Sequence, residues 1–181
     1  PGMTTMAKAI AEGVDVRLLE HVVEAIPVEG GWHLRSDRDL GVFDWVISSL
    51  PPAQAYALFV EHTALKGCLE SAAMTPCWAG MVVLPGRLDT PWDALFVNDG
   101  PLRWVARNNS KPGRPEFESW VLHGSESWSQ EMLECESGEV APLLWEAFRG
   151  LWENLSVEPL SLEAHRWRYS VANNSPGEPC L

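Results

Sequence analysis

The sequence predicts an α+β fold arranged in two blocks. Residues 1–72 alternate between helix-like and strand-like patterns, as in one part of a larger α/β domain. Residues 73–181 read mostly as successive strands joined by turns, a pattern typical of a mixed, mainly antiparallel sheet with covering helices. We therefore expect two domains, with the boundary between residues 72 and 73.

The composition favours a globular protein without nucleic-acid or membrane partners. The chain has 181 residues, a formal net charge of −12, 46% hydrophobic residues and 21% charged residues. An acidic chain repels the phosphate backbone, which disfavours nucleic-acid binding. No apolar run approaches the roughly 18–20 residues that span a bilayer. We expect a cytoplasmic protein whose four cysteines are reduced, since the sequence has neither a secretory signal nor a C-x-x-C pair.

The first block predicts helices at both ends and short strands between them. Helices are expected at 3–12, 53–60 and 62–71, where apolar residues recur with helical spacing. Alternation predicts strands at 14–19, 21–26 and 32–35, with a turn over 27–31. The nearly continuous apolar run at 42–49 predicts a buried strand, which Pro51 and Pro52 end.

The second block predicts five strands and two helices. The strands are expected at 77–84, 94–98, 102–107, 117–123 and 161–171, and a turn-rich segment follows at 173–179. A short helix is expected over 125–133, capped by Ser125 or Ser127. A longer amphipathic helix is expected over 137–153, with Ser137 as its cap.

Residues 102–114 are the first constellation that could contact a ligand. Strand alternation places Trp104, Ala106 and Asn108 on one face and Arg103, Val105 and Arg107 on the other. The basic turn that follows could meet phosphate or carboxylate groups. A solvated β-turn, in which Pro112 and Gly113 act as turn residues, is the alternative interpretation, and both stay open.

Residues 163–169 are the second constellation. Alternation places His165, Trp167 and Tyr169 on one face and Arg166 and Arg168 on the other, an arrangement that suits a planar, anionic ligand. An ordinary half-buried strand with Arg–Glu pairs is the alternative. The ten tryptophans leave a similar choice between a Trp-rich core and an aromatic pocket.

Other catalytic and metal-binding patterns are absent from the sequence. It contains no G-x-S-x-G turn, no P-loop and no G-x-G-x-x-G turn. The cysteines and histidines do not have the spacing of metal ligands, and we expect no metal site.

Several strings of the sequence are similar to one family. The strings FDWVIS (43–48) and PPAQA (51–55) resemble the middle of flavin-dependent amine-oxidase-like proteins. The strings PCWA (76–79), GPLRWVARN (100–108), SKPGR (110–114) and AHRWRY (164–169) resemble the bacterial renalase-like branch of these NAD(P)/FAD-dependent oxidoreductases.

The resemblance implies an FAD-dependent oxidoreductase with two domains. One domain would be Rossmann-like and hold FAD, and the other would have a mixed sheet that covers the flavin and shapes the substrate pocket. Such proteins oxidise dihydronicotinamide dinucleotide isomers or amines with O₂. By the same resemblance, the backbone of Val22 would meet the adenine edge of FAD, and Pro51 would lie where the chain turns near the cofactor.

The resemblance also implies substrate-site residues in the second block. Asn108 and His165 would be the hydrogen-bonding catalytic groups, and Trp104 and Trp167 would be walls of the pocket. The candidates for contact with an anionic dinucleotide substrate are Arg107, Lys111, Arg114 and Arg166.

The chain departs from this family at both ends. The glycine-rich turn that supplies the pyrophosphate site is absent, as is the family's last segment around the flavin ring. Since the chain also begins with Pro1, we expect an internal piece of a longer oxidase, inactive alone and prone to self-association through an incomplete sheet. The alternative is a non-catalytic binding module that retains the substrate-domain fold.

Overall fold

The computed structural model describes residues 4–59 and 61–173, which form two compact units. The first unit contains the described residues up to Ala73 together with Asn173, and the second unit is Met74–Ala172. Helices and antiparallel strands occur in both units, so the predicted α+β fold is confirmed. The parts of the sequence-based expectations that lie outside the described residues concern Met3, Val60, Cys180 and the turn over 174–179.

The described residues of the first unit form a three-stranded antiparallel sheet and three short helices. The strands, in spatial order, are β1 (Glu24–Val28), β2 (Gly31–Arg35) and β3 (Asp39–Phe43). The helices are α1 (Thr4–Ile10), α2 (Pro52–Phe59) and α3 (Thr63–Ser71). Each helix matches a predicted helical segment to within a few residues.

The turn between β1 and β2 is shorter than predicted. The β1–β2 ladder continues to the pair Val28–Gly31, so only Glu29 and Gly30 remain as the turn. Gly30 has φ of +84°, which glycine adopts without the steric cost of a side chain. A Cβ at Gly31 would lie 2.2 Å from the carbonyl oxygen of Phe43, so this glycine permits the close approach of β2 to the end of β3.

Two strands predicted in the first unit are wrong. The structure has no strand over 14–19, and the apolar run at 42–49 contributes only its first two residues to β3. Trp45 and Ile47 are 87% and 95% exposed. A strand needs partners for its N–H and C=O groups, and no described strand pairs with residues 14–19 or with residues 44–49. Apolar patterning predicts burial only where another layer covers the side chains.

The second unit is a five-stranded sheet with two helices among its described residues. The spatial order is β5-β6-β7-β4-β8, and every pair is antiparallel. The strands are β4 (Met74–Leu84), β5 (Ala94–Phe96), β6 (Leu102–Arg107), β7 (Glu118–Gly124) and β8 (Ser161–Ala172). The helices are α4 (Glu126–Glu131) and α5 (Ser137–Arg149), and a 3₁₀ turn, Asn108–Ser110, follows β6.

Both helices pack on one face of this sheet and form the hydrophobic core with it. Leu144 and Phe148 of α5 are fully buried against Trp78, Trp120 and Leu122 of the strands. Helix α4 contributes Ser129, whose hydroxyl accepts a hydrogen bond from the backbone of Trp78. The cap of α5 differs from the prediction: Glu136 is the N-cap, because its side chain and that of Glu139 form a reciprocal capping box.

The opposite face of the sheet is packed by neither α4 nor α5. We call it the open face, and alternation and register assign to it Cys77, Ala79, Met81, Trp104, Val121, His123, His165 and Trp167. Several of its large side chains reach solvent, since Met81 is 42% exposed and Trp167 is 55% exposed. The second unit therefore presents aromatic and imidazole side chains on one face of an antiparallel sheet.

Candidate functional site

A pocket lies at one end of the open face. It has a volume of about 540 Å³ and lies where β4 and β6 begin and β7 and β8 end. The side chains that give it chemical character are Cys77, Phe96, Arg103, Trp104, His123 and Glu126. All of them belong to the second unit, so one folded unit positions the whole pocket.

A β-bulge at Arg103 shapes this pocket. Leu102 pairs with Gly124 and Trp104 pairs with His123, so Arg103 is the extra residue on β6. The indole of Trp104 therefore lies beside the imidazole of His123, with ring centroids 5.0 Å apart. The guanidinium of Arg103 donates to the carboxylate of Glu126 in the first turn of α4, at 2.6 Å.

The local environment keeps the pocket's two other ionisable groups uncharged at neutral pH. Burial, followed by the charge of Arg103, lowers the pKa of His123 below its ordinary value of 6.5. Burial raises the pKa of the Cys77 thiol above its ordinary value of 9.0. The imidazole is therefore a neutral hydrogen-bonding group, and the thiol stays protonated.

Three of the predicted site residues lie on the open face. Trp104 lines the pocket, and His165 and Trp167 lie on β8, opposite Ala79 and Cys77 of β4. The rings of His165 and Trp167 are in edge contact, with centroids 4.8 Å apart. Alternation thus predicts correctly that these side chains share a face, although the roles assigned to them stay predictions.

Arg107 does not lie on the open face. It is 3% exposed within the core, where its Nε donates to Glu118, its Nη1 to Asp93 and its Nη2 to the carbonyl of Leu88. Its guanidinium also lies over the ring of Trp120, 4.9 Å from the centroid. These partners occupy all three guanidinium nitrogens, so the position does not support the expected contact with an anionic substrate.

Arg166 is likewise directed away from the open face. Its Nη1 donates to the carbonyl of Leu133 at 2.5 Å, and its guanidinium lies over Trp78 on the helix-covered side. Arg168 points the same way and forms an ion pair with Glu134 at 2.7 Å. This matches the alternative interpretation of an ordinary strand with Arg–Glu pairs on that face, and it does not support the expected contact of Arg166 with substrate.

The other predicted polar residues lie in the loop at the far end of β6. Asn108 begins the 3₁₀ turn, so strand alternation ends at Arg107 and does not carry Asn108 to the face of Trp104. Lys111 is exposed and its Nζ lies 3.4 Å from the side-chain oxygen of Asn108, while Arg114 is half-buried. At a strand rise of about 3.3 Å per residue, Asn108 is roughly 16 Å along the chain from Arg103. The structure does not bring this loop to the pocket.

Val22 and Pro51 lie in the first unit. Val22 lines a cavity of about 720 Å³ whose apolar wall includes Val46, Leu50 and Phe59. Pro51 directly follows Leu50, and its carbonyl accepts the N–H groups of Gln54 and Ala55 at the start of α2. Of the two predicted cofactor residues, Val22 therefore lines the cavity, and Pro51 directly follows the lining residue Leu50.

Sequence reasoning missed most of the pocket. His123 and Phe96 were not identified as ligand-contacting residues, and the Arg103–Glu126 pair was not foreseen. Alternation over 117–123 could have placed His123 and Val121 on the same face. The pairing of Trp104 with His123 depends on the bulge at Arg103, and the sequence carries no clear signal for that bulge.

The described residues form neither a metal-binding cluster nor a membrane-spanning helix. Over residues 4–59 and 61–173, no group of three or more His, Cys, Asp or Glu side chains is arranged to hold a metal ion. Among the helices that the structure describes, none combines the length and the apolar character needed to cross a membrane. The described cysteines, Cys68, Cys77 and Cys135, are free thiols.

The fold is similar to that of several solved oxidoreductases. No family model matches the sequence. A candidate protoporphyrinogen oxidase from Exiguobacterium sp. 255-15 superposes with a TM-score of 0.75 and 15% identity over 97% of this chain and 41% of its own. A putrescine oxidase with redesigned cofactor binding superposes with a TM-score of 0.66 and 17% identity, over 90% of this chain and 38% of the oxidase. An oxidoreductase from Methanosarcina mazei superposes with a TM-score of 0.59 and 14% identity, over 83% of this chain and 37% of that protein.

These similarities establish the fold class and its extent. The chain shares its fold with part of each of these oxidoreductases and spans about two fifths of their length. Within the part of the chain that the structure describes, the pocket at one end of the open face has the predicted residue Trp104 at its wall, and the cavity of the first unit has Val22.

Proposed function

We propose that this chain is part of an FAD-dependent, renalase-like oxidoreductase that oxidises a dihydronicotinamide dinucleotide isomer or an amine with O₂. The observation that supports this most strongly is the fold similarity over 97% of the chain to a candidate protoporphyrinogen oxidase. The strings that resemble flavin-dependent amine-oxidase-like proteins lie in the first unit, and those that resemble the renalase-like branch lie in the second, which supports the same proposal.

The first unit fits one part of an FAD site. Val22 borders a mainly apolar cavity, as suits the adenine side of a dinucleotide. The prolines that begin α2 have no N–H to donate, and the sequence has no glycine-rich turn to supply a pyrophosphate site. Val22 and Pro51 would therefore contact FAD only if another part of the complete protein supplied the pyrophosphate site. We expect this chain alone to bind FAD weakly.

The second unit would supply the substrate side. Trp104 and Trp167 would border the substrate, and His165 would donate or accept a hydrogen bond on the same face. When bound, FAD supplies the electron acceptor: a hydride leaves the substrate carbon, and with one proton from solvent its electrons reduce O₂ to H₂O₂. Such chemistry needs no protein nucleophile, so the role of these side chains is to bind and orient the substrate.

The partners that we propose follow from this assignment. The ligand is a small molecule, and neither nucleic acid nor a membrane is expected to bind. We also propose that the isolated chain self-associates through exposed apolar side chains of the first unit, among them Trp45 and Ile47.

The test compares the isolated chain with the complete reading frame that contains it. Both are purified, their bound flavin is measured by absorbance, and H₂O₂ formation is assayed with dihydronicotinamide dinucleotide isomers and with amines. We expect flavin and activity in the complete protein and neither in the isolated chain. A complete protein without flavin would overturn the proposal and favour a non-catalytic binding module.

A further inference from the structure

The pocket beside Trp104 and His123 has two aromatic walls at its rim. Phe96 is 71% exposed although it is a large apolar side chain at the end of β5, and Trp104 is half-buried on the neighbouring strand. A flat ring placed against these side chains would remove apolar surface from water and could stack on an aromatic face. The aromatic side chains at the pocket therefore favour a ligand with a planar ring.

The charges that line the pocket are already balanced. Arg103 and Glu126 are paired at 2.6 Å, so the carboxylate has a cation beside it and the guanidinium has an anion. Among the described lining residues, Glu126 is the one carboxylate. Glu163 also belongs to the open face, but it lies seven residues along β8 from Ser170 at the pocket, roughly 23 Å at the rise of a strand. A cationic ligand would therefore find no free anion here.

We propose that this pocket selects an uncharged planar ring over a cation of the same shape, with His123 and the Arg103–Glu126 pair as the specificity-determining residues. The proposal rests on the assignment of the open face to the substrate side of an oxidoreductase. It deepens that assignment, because a dihydronicotinamide ring is uncharged whereas an amine carries an ammonium group at neutral pH.

His123 contributes to this selection through the groups around it. Arg103 of β6, Glu126 of α4 and Cys77 of β4 line the same pocket, and His165 of β8 lies on the same face, two strands away. Burial and Arg103 keep the imidazole neutral, so it can donate or accept a hydrogen bond without attracting an anion. Protonation at low pH would add a positive charge beside the ring and oppose a cation further.

The test uses the 181-residue chain and two probes of one shape. Quinoline is uncharged at neutral pH, and N-methylquinolinium is a permanent cation. Binding is followed by NMR through the imidazole C–H resonances of His123, which are assigned with the variant His123→Gln. We expect quinoline to shift these resonances and to bind about tenfold or more tightly than the cation, because the cation meets Arg103 without a free carboxylate.

Two variants separate the charge argument from shape. Arg103→Gln frees Glu126, so we expect affinity for N-methylquinolinium to rise about tenfold and the pKa of His123 to rise. Glu126→Gln leaves Arg103 unpaired, so affinity for the cation should fall further. Arg149→Gln is the matched control, because it breaks an exposed ion pair with Glu146 outside the pocket. It should change the affinity for neither probe.

Equal binding of the two probes, tighter binding of the cation, or no shift of His123 with either probe would overturn the proposal. These outcomes are distinguishable from failure of the proposed function, since they need no flavin. A complete protein that binds flavin and oxidises a substrate while its pocket ignores charge would leave the oxidoreductase assignment intact. A complete protein that binds the uncharged ring selectively but holds no flavin would support the selectivity of the pocket and overturn the oxidoreductase assignment.

Discussion

Arg107 and Glu118 form an ion pair inside the second unit, with 3.1 Å between Nε and Oε1 and each side chain 2% exposed. Glu118 also accepts hydrogen bonds from the indole of Trp120 and the backbone N–H of Leu88. A buried charge is tolerated only when it is paired and hydrogen-bonded, and this network satisfies both partners. The arginine that the sequence offered for ligand binding is thus part of the core.

Removing one member of this pair should destabilise the protein strongly. We expect Glu118→Ala to lower the free energy of unfolding by about 3 kcal/mol, because Arg107 would keep a buried charge with only the half-exposed Asp93 as a counter-ion. Urea unfolding followed by circular dichroism measures this. Arg149→Ala, which removes an exposed pair with Glu146, should change the free energy by less than about 0.5 kcal/mol. Similar losses in the two variants would contradict the structural role of Glu118.

Gly124 should not tolerate a side chain. A Cβ at this position would lie 2.7 Å from the hydroxyl of Ser129, which is fully buried and accepts the backbone N–H of Trp78. We expect Gly124→Ala to cost about 1–3 kcal/mol of stability, because overpacking forces these groups apart. Gly86→Ala is the matched control in the same unit, since a Cβ there meets nothing within 4 Å. A neutral Gly124→Ala variant in thermal unfolding would show that Ser129 can move freely.

The second unit could be predicted from sequence more fully than the first. Its strands pair with one another, and β4 pairs with the segment 161–171. This pairing keeps the segment extended, so His165 and Trp167 lie on one face as alternation predicts. The run at 42–49 has an equally strong pattern, yet Trp45 and Ile47 are exposed because no described layer covers them. Patterning identifies side chains that can be buried, and the rest of the fold decides whether they are.

The candidate site was less predictable because it depends on register. The sequence indicates Trp104 as an aromatic strand residue, but only the β6–β7 pairing shows that His123 is its neighbour. The sequence indicates Arg107 as a cation that could bind a ligand, whereas in the structure its guanidinium is paired with Glu118 and Asp93. Contacts between residues 11 or more positions apart, such as Arg107 with Glu118, are not contained in local spacing.

Acid should weaken the first unit through Glu20. Hydrogen bonds from Arg38 and Ser36 lower the pKa of Glu20 from 4.5 to about 2. A folded-state pKa below the ordinary value gives stability that is present above pH 4.5 and lost as the pH falls towards 2. We expect Glu20→Gln to flatten the pH dependence of urea unfolding in this window, whereas Glu29→Gln, at an exposed turn, should keep the wild-type slope. The same slope in both variants would argue against the Glu20–Arg38 contact.

The isolated chain should self-associate through the first unit. Trp45 and Ile47 expose large apolar side chains, and apolar patches of this kind promote association. We expect the double variant Trp45→Glu and Ile47→Glu to weaken self-association about tenfold or more in sedimentation velocity, because charge replaces apolar contact. Phe117→Glu, at a 69% exposed position in the second unit, is the control. A monomeric wild-type chain, or equal effects of the two changes, would contradict the prediction.

His165 and Asn108, the two predicted catalytic residues, should behave differently in the complete protein. His165 lies on the open face in contact with Trp167, whereas Asn108 lies in the turn after β6. If the open face borders the substrate, His165→Ala should lower kcat/KM about tenfold to hundredfold, and His165→Gln should restore part of it by keeping a hydrogen-bonding group. Asn108→Ala should change kcat/KM by less than about threefold, because Asn108 lies in the 3₁₀ turn after β6 and not on the open face. Steady-state H₂O₂ assays on flavin-loaded variants measure both values, and a larger effect at Asn108 than at His165 would place the substrate at the far end of β6.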